Sequence, residues 1–194
     1  MPDTPVSEDP SYWSNSPFWL QKIKTYFNLL DDNNDGLIIK DEWDEITARF
    51  VSCSPGYNKD AIKKARNVMW ASFRAGDAQI VTFGMFKKCQ AFKQVLFEND
   101  MEASKNFTRA FFNVFDTDRN GHIDQSEYKK YLECLGIDPG FSEVAFNSID
   151  TNKDGEITYE EFHEAFLDFF HGLDRAGCGT YLYGPIPEVE SENS

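Results

Sequence analysis

Three segments of this 194-residue chain carry oxygen-bearing side chains at one repeated spacing: DDNNDGLIIKDE at 31–42, DTDRNGHIDQSE at 116–127 and DTNKDGEITYEE at 150–161. Each fits Asp-x-Asp/Asn-x-Asp/Asn-Gly with a glutamate at the twelfth place. A calcium ion takes six to eight oxygens at about 2.3–2.6 Å, and a loop wound round it turns alternate side chains inward. The chemistry of the pattern is therefore coordination of a hard dication. In the first segment the candidate ligands are Asp31, Asn33, Asp35, the backbone carbonyl of Leu37, and Glu42. The second offers Asp116, Asp118, Asn120, the His122 carbonyl, Asp124 and Glu127. The third offers Asp150, Asn152, Asp154, the Glu156 carbonyl and Glu161. Glycine at the sixth place allows the sharp turn that swings the seventh carbonyl inward, and the final glutamate closes the sphere through both oxygens. A plain solvated turn also favours Asp, Asn and Gly. Without a cation, however, each close pair of carboxylates would cost about 4 kcal/mol at an effective dielectric of ~20.

Such loops need helices to hold them. Trp19, Leu20, Ile23, Tyr26, Phe27 and Leu30 form an apolar face leading into the first segment, and Trp43, Ile46 and Phe50 lead out of it. Phe107, Ala110, Phe111, Val114 and Phe115 precede the second, with Tyr128, Tyr131, Leu132 and Leu135 after it. Ala145, Phe146 and Ile149 precede the third, which Phe162, Phe166, Phe169 and Phe170 follow. This is a helix–loop–helix repeat. Ile38, Ile123 and Ile157, each at the eighth loop place, suit a short antiparallel bridge between paired loops. An odd loop would lack a partner. Counting back from Ile80 gives FRAGDAQIVTFG at 73–84, where Phe73 and Gly84 replace the first and twelfth carboxylates. That loop is expected to hold no metal and to persist for pairing, with Ile62, Ala65, Met69 and Phe73 before it, Phe83, Phe86 and Gln90 after it, and Thr82 as N-cap.

The expected architecture is all-α, four helix–loop–helix units in two pairs at 18–97 and 104–171, with short β bridges between paired loops. Residues 1–17, holding Pro2, Pro5, Pro10 and Pro17, are expected to be flexible, and 188–194 disordered. The stretch 172–187 is expected to lie back on the body through Tyr181, Leu182, Tyr183 and Ile186.

With 19 basic against 33 acidic residues, net charge −14 and pI about 4.5, the chain repels phosphate backbones, which argues against nucleic acid. No apolar run approaches the ~20 residues that span a bilayer, and MPDTPVSEDP lacks a secretory core, so no membrane insertion and a cytoplasmic location are expected. Cys53, Cys89, Cys134 and Cys178 form no C-x-x-C pair and are expected to be reduced, buried thiols. His122, His163 and His171 are expected at the surface or partly packed. No nucleophile–base constellation or phosphate-binding glycine loop appears, so an enzyme is not expected.

These residues resemble the EF-hand superfamily, and more narrowly the invertebrate sarcoplasmic calcium-binding proteins. The resemblance runs through FWLQKIKTYFNLLDDNNDG at 18–36, FFNVFDTDRNG, AFNSIDTNKDG and YLYGPI at 181–186. It implies a compact EF-hand fold with a degenerate second unit, and a role in buffering cytosolic calcium with magnesium competing. Coelenterazine-binding proteins, photoproteins and calexcitin are similar in layout, which keeps a small apolar ligand and a calexcitin-like sensor role open as alternatives. Photoproteins place a tryptophan four residues after a C-terminal histidine; here Arg175 follows His171, and no tryptophan occurs after Trp70. Sensors open a methionine-rich groove, whereas only Met69, Met85 and Met101 accompany the initiator among 18 Phe, eight Tyr and four Trp. Three bound calcium ions and a monomer are the expectation. The loop at 116–127, with four carboxylates, is expected to bind tightest; Ile39 leaves room for a water, and Thr158 offers a hydroxyl.

Overall fold

The computed structural model describes residues 11–53, 59–73 and 78–187. A short turn, α1 (Ser11–Ser14), precedes four helix–loop–helix units. The first is α2 (Pro17–Leu30), β1 (Leu37–Ile39) and α3 (Lys40–Cys53); the second is α4 (Lys59–Phe73), β2 (Ile80–Thr82) and α5 (Phe83–Asn99). The third is α6 (Met101–Phe115), β3 (His122–Asp124) and α7 (Gln125–Cys134). A 3-10 turn at Pro139–Phe141 leads to the fourth: α8 (Ser142–Ile149), β4 (Glu156–Thr158) and α9 (Tyr159–His171). Among the described residues no helix is long and apolar enough to cross a membrane.

Local chemistry sets these boundaries. Pro17 opens α2 where no N–H partner is needed, and Ser16 Oγ accepts the Trp19 N–H at 3.3 Å. Asp100 caps α6, accepting the Ala103 N–H at 2.9 Å. Thr82 Oγ1 accepts the Met85 N–H at 3.3 Å, the N-cap role expected of it.

Both bridges are antiparallel: Ile123 faces Ile157, and Ile38 faces Val81. The second pairing corrects the sequence alignment by one residue. Val81 is buried while Ile80 is half exposed, so the second loop is counted from Val81, which sets Arg74 and Met85 at its first and twelfth places in the sequence. Side chains alternate across a strand, so a one-residue slip exchanges the inward and outward residues.

The two pairs close on one aromatic core. Trp19 Nε1–H donates to the Phe170 carbonyl at 2.6 Å, and Lys22 Nζ donates to the Asp168 and Gly172 carbonyls at 2.8 and 2.7 Å, tying α2 to α9. Leu182 and Tyr183 are fully buried, with Tyr183 stacked on Tyr26 at 4.3 Å and the Tyr128 hydroxyl donating to the Leu182 carbonyl at 2.9 Å. Tyr181 and Ile186 pack only in part. The tail approaches α9 so closely that a Cβ on Gly179 would meet the Ala165 carbonyl oxygen at 1.9 Å.

Three expectations need correction. The proline-rich start does not fray through residue 17: residues 11–14 are helical and Trp13 is 4 % exposed, because burying an indole outweighs the poor local propensity. The expectations for 1–10 and 188–194 fall outside the described residues. Of the four cysteines only Cys134 is buried; Cys89 and Cys178 are half-buried and Cys53 is exposed at the end of α3. His163 is buried rather than peripheral, since Thr108 Oγ1 lies 2.8 Å from its Nδ1 and gives the imidazole a partner.

Candidate metal centres

Every loop uses its first and twelfth carboxylates in the same way. Asp31, Asp116 and Asp150 are 3, 5 and 4 % exposed, and Glu42, Glu127 and Glu161 are 6, 7 and 9 % exposed. Six buried carboxylates are stable only if hydrogen bonds or a cation compensate them. Asp31 Oδ2 accepts the Gly36 N–H at 2.9 Å, Asp116 Oδ2 that of Gly121 at 3.1 Å and Asp150 Oδ2 that of Gly155 at 3.0 Å. Gly36, Gly121 and Gly155 have φ of 88°, 91° and 88°, the conformation expected of the sixth place. Asn34, Arg119 and Lys153, at the fourth place, also adopt positive φ. Asparagine tolerates this easily; arginine and lysine do so at some cost.

The closing glutamates hold the loop ends together. Glu127 Oε1 accepts from the Thr117 N–H at 2.7 Å, the Thr117 hydroxyl at 2.8 Å and the Asp118 N–H at 3.1 Å, while Oε2 accepts the Asp124 N–H at 3.2 Å. Glu161 repeats this with Thr151 N–H and hydroxyl, both at 3.1 Å, and with Thr158 N–H and hydroxyl at 3.0 and 2.9 Å. Burial raises the Glu161 carboxyl, but the bonds from Thr158, Asn152 and Thr151 outweigh it and leave the group below the usual range. Glu42 has fewer partners, the Asn33 N–H at 3.1 Å and the Ile39 N–H at 3.0 Å.

In the loop at 116–127, oxygens of Asp116, Asp118 and Glu127 lie within 4.8 Å of one another. Among the described residues no other loop gathers three carboxylates in that span. Asp116 Oδ1 is buried without a hydrogen-bond partner. Burial, reinforced by Asp118, raises the Asp116 carboxyl against the N–H groups of Gly121, Arg119 and Asn120. An orphaned buried oxygen beside two further carboxylates fits a hard cation. Asp124 stands apart from this group: its Oδ1 accepts the Glu127 N–H at 2.8 Å in the capping box of α7.

The asparagine oxygens serve the loop turns. Asn33 Oδ1 accepts the Asp35 N–H at 2.8 Å, Asn120 Oδ1 that of His122 at 2.8 Å and Asn152 Oδ1 that of Asp154 at 2.8 Å. Asp35 Oδ1 accepts the Leu37 N–H at 2.9 Å, and Asp154 Oδ1 the Glu156 N–H at 3.0 Å, orienting the seventh residue whose carbonyl is the candidate ligand. Sequence reasoning missed Thr117 and Thr151. Their signal was a hydroxyl at the second place of both later loops, where the first loop has Asp32, which instead pairs with Arg49 at 2.7 Å.

Known proteins resemble this chain in both sequence and fold. Residues 86–167 match the model of the EF-hand domain pair, and residues 23–47 match that of the EF hand. The sarcoplasmic calcium-binding protein of Perinereis vancaurica tetradentata is 31% identical over 175 residues, covering 88% of this chain and 99% of that protein. Aequorin-1 of Aequorea victoria is 27% identical over 183 residues, covering 89% of this chain and 93% of its own. The calcium-loaded apo form of the coelenterazine-binding protein of Renilla muelleri superposes with a TM-score of 0.69 at 21% identity, covering 92% of this chain and 98% of that one.

Proposed function

The chain belongs to the EF-hand family of sarcoplasmic calcium-binding proteins, and from that premise we propose that it is a cytoplasmic, monomeric calcium buffer that takes up three ions and catalyses no reaction. The sites are the loops at 31–42, 116–127 and 150–161, held by the fifteen ligand positions named above together with Asp124, which completes the second site through a water or directly. The observation that carries this reading is the burial of the first and twelfth carboxylate of each loop, with Asp116 Oδ1 left without any partner. A bound dication supplies the positive charge that these carboxylates lack. The chain's own part is to hold the oxygens in place: the glycine turns and capping boxes fix the carboxylates before the ion arrives, which limits the ordering cost of binding.

The seam supports buffering rather than sensing. Exposing a groove would break the Trp19–Phe170 bond, the Lys22 bonds and the Tyr26–Tyr183 stack together, and the interior has few methionines to re-pack. Dissociation constants of about 10⁻⁹–10⁻⁸ M suit this role, with magnesium competing. A luciferin carrier is the rival reading, favoured by the aromatic interior and the likeness to the coelenterazine-binding fold. Against it, the hollow between Phe73, Phe111, Phe166 and His171 is about 10 Å³, room for a water molecule, and the hollows of about 560 Å³ beside Leu29, Ile137 and Tyr183 and of about 620 Å³ beside Leu20, Lys24 and Phe83 open to solvent rather than into the core. The test is to add coelenterazine, and separately a fluorescent hydrophobic probe, with calcium and with chelator. A buffer leaves both signals nearly unchanged; calcium-triggered release of bound coelenterazine, or calcium-triggered probe binding, contradicts it.

A further inference from the structure

Two cysteines from different pairs of units meet where the pairs join. Cys53 is the last residue of α3, and Cys134 is the last of α7. One turn earlier on each helix, Phe50 and Tyr131 pack with ring centres 5.0 Å apart, so the two helix ends converge. Both cysteines line a single hollow of about 10 Å³ beside those rings. The Cys134 thiol donates a hydrogen bond to the Cys53 sulfur. Thiols already in contact, each at the end of a packed helix, need little backbone movement to bond.

Their surroundings give the two sulfurs different roles. Cys53 is exposed, with the Ser52 hydroxyl 3.9 Å from its sulfur, whereas Cys134 is 5 % exposed. Burial, and after it the Cys53 thiol, pushes Cys134 up to about 12, so Cys134 stays protonated while solvent reaches its neighbour. Charges of both signs face the pair: Arg49, which also binds Asp32, and Lys130 against Glu133 and Glu127. The other two cysteines stand elsewhere, Cys89 facing Lys93 and Cys178 facing Asp168 and Glu164.

We propose that Cys53 and Cys134 are a peroxide-reactive pair that closes to an intramolecular disulfide, fastening the N-terminal pair of units to the C-terminal pair. The oxidant is hydrogen peroxide. The ionised Cys53 sulfur attacks one peroxide oxygen, the O–O bond breaks, and the hydroxide released takes up the Cys53 proton as water, leaving Cys53 a sulfenic acid. The Cys134 sulfur then attacks the Cys53 sulfur, the S–O bond breaks, and the departing oxygen carries off the Cys134 proton as a second water. Together the two sulfurs lose two electrons, and the peroxide gains two. A thiol reductant reverses the bond by exchange. The bridge closes a loop of about 80 residues, long enough to restrict the unfolded chain strongly, and it needs no ion in the metal loops.

The test treats the full chain, at saturating calcium, with hydrogen peroxide, caps the remaining thiols with an alkylating reagent and digests it without reduction. Mass spectrometry is expected to find the Cys53 and Cys134 peptides joined, two hydrogens lighter than the free pair, and separated again by dithiothreitol. The oxidised monomer is expected to melt about 5–15 °C above the reduced one. Cys53→Ser loses the bridge and the rise in melting temperature together while keeping its calcium stoichiometry. A bridge from either residue to Cys89, Cys178 or a second chain overturns the proposal. So does Cys53 carried on to the sulfinic or sulfonic acid with Cys134 still free, or a Cys53–Cys134 bridge that fails to raise the melting temperature. Should the variant fail to fold, the peptide map of the unmodified chain decides the matter.

Discussion

The two pairs of units keep the same bridge but not the same ligand chemistry. In the C-terminal pair Ile123 faces Ile157, each closing glutamate is gripped by a threonine at the second loop place, and Asp124 and Thr158 cap the exit helices through full capping boxes. In the N-terminal pair Ile38 still faces a buried residue, Val81, but the partner loop has no acid at its first or twelfth place. Even the intact loop there has Asp32 turned to Arg49 and Ile39 where a cap would sit. Pairing and coordination are therefore separable: a buried aliphatic pair sustains the bridge, and oxygens are needed only where an ion is to be held. We propose one pair as two linked sites and the other as a single site with a structural mate.

The largest test of that difference compares Glu161→Gln with Glu42→Gln. Partners of metal ligands alone are worth about 10–100-fold, so losing a closing ligand should weaken its own site by at least about 100-fold. Glu161→Gln should also weaken the loop at 116–127 through the shared bridge, whereas Glu42→Gln should leave both C-terminal sites unchanged in a calcium titration. Equal spread of the two effects would erase the distinction between the pairs.

The tail joins the halves, and Gly179→Ala attacks that junction. Its Cβ would lie 1.9 Å from the Ala165 carbonyl oxygen, so a loss of about 1–3 kcal/mol in urea unfolding is expected. Unchanged stability would mean that the tail does not seat against α9 in solution.

Thr117→Val removes a hydroxyl bonded to a charged Glu127 and should cost the second site about tenfold in affinity. Asp32→Thr, the reverse move in the first loop, should strengthen that site several-fold. If Thr117→Val is silent in calorimetry, the second place is not what separates the pairs.

A further effect lies in pH. Burial pushes Lys93 down to about 7, partly opposed by Cys89, and Lys22 down to about 8, partly opposed by Asp168, both from 10.5. A lowered folded value means that the unfolded chain binds the extra proton between those values and 10.5. Stability therefore rises with pH in that window, by up to about 1.4 kcal/mol per pH unit for each proton. Above about pH 10 the buried tyrosines, Tyr26 among them at about 12, reverse the sign. Urea midpoints in chelator should climb from pH 7.5 to 9.5, and Lys93→Met, which removes the ammonium packed between Phe73 and Phe107, should flatten the climb. An identical slope in the variant would count against a buried charge there.

Much of this was legible in the residues because the loop pattern is written by the ion. Gly36, Gly121 and Gly155 adopt the positive φ that their spacing demands, and Leu182 and Tyr183 bury as their position in the tail suggests. Where the ligands are missing, nothing anchors the count, which is why Ile80 rather than Val81 looked like the bridge residue. Trp13 and His163 gain their burial from partners distant in sequence, which local composition does not encode. The same holds for Arg66: a lysine- and arginine-bearing helix reads as a solvated face, and only the fold turns Arg66 onto Trp43.

The most direct measurement is isothermal calorimetry of calcium binding to the unmodified chain and to the Glu42→Gln, Glu127→Gln, Glu161→Gln triple variant. Three ions per chain and none tightly held by the variant is the expected outcome. Fewer than three in the first, or tight binding surviving in the second, would contradict the assignment of these loops.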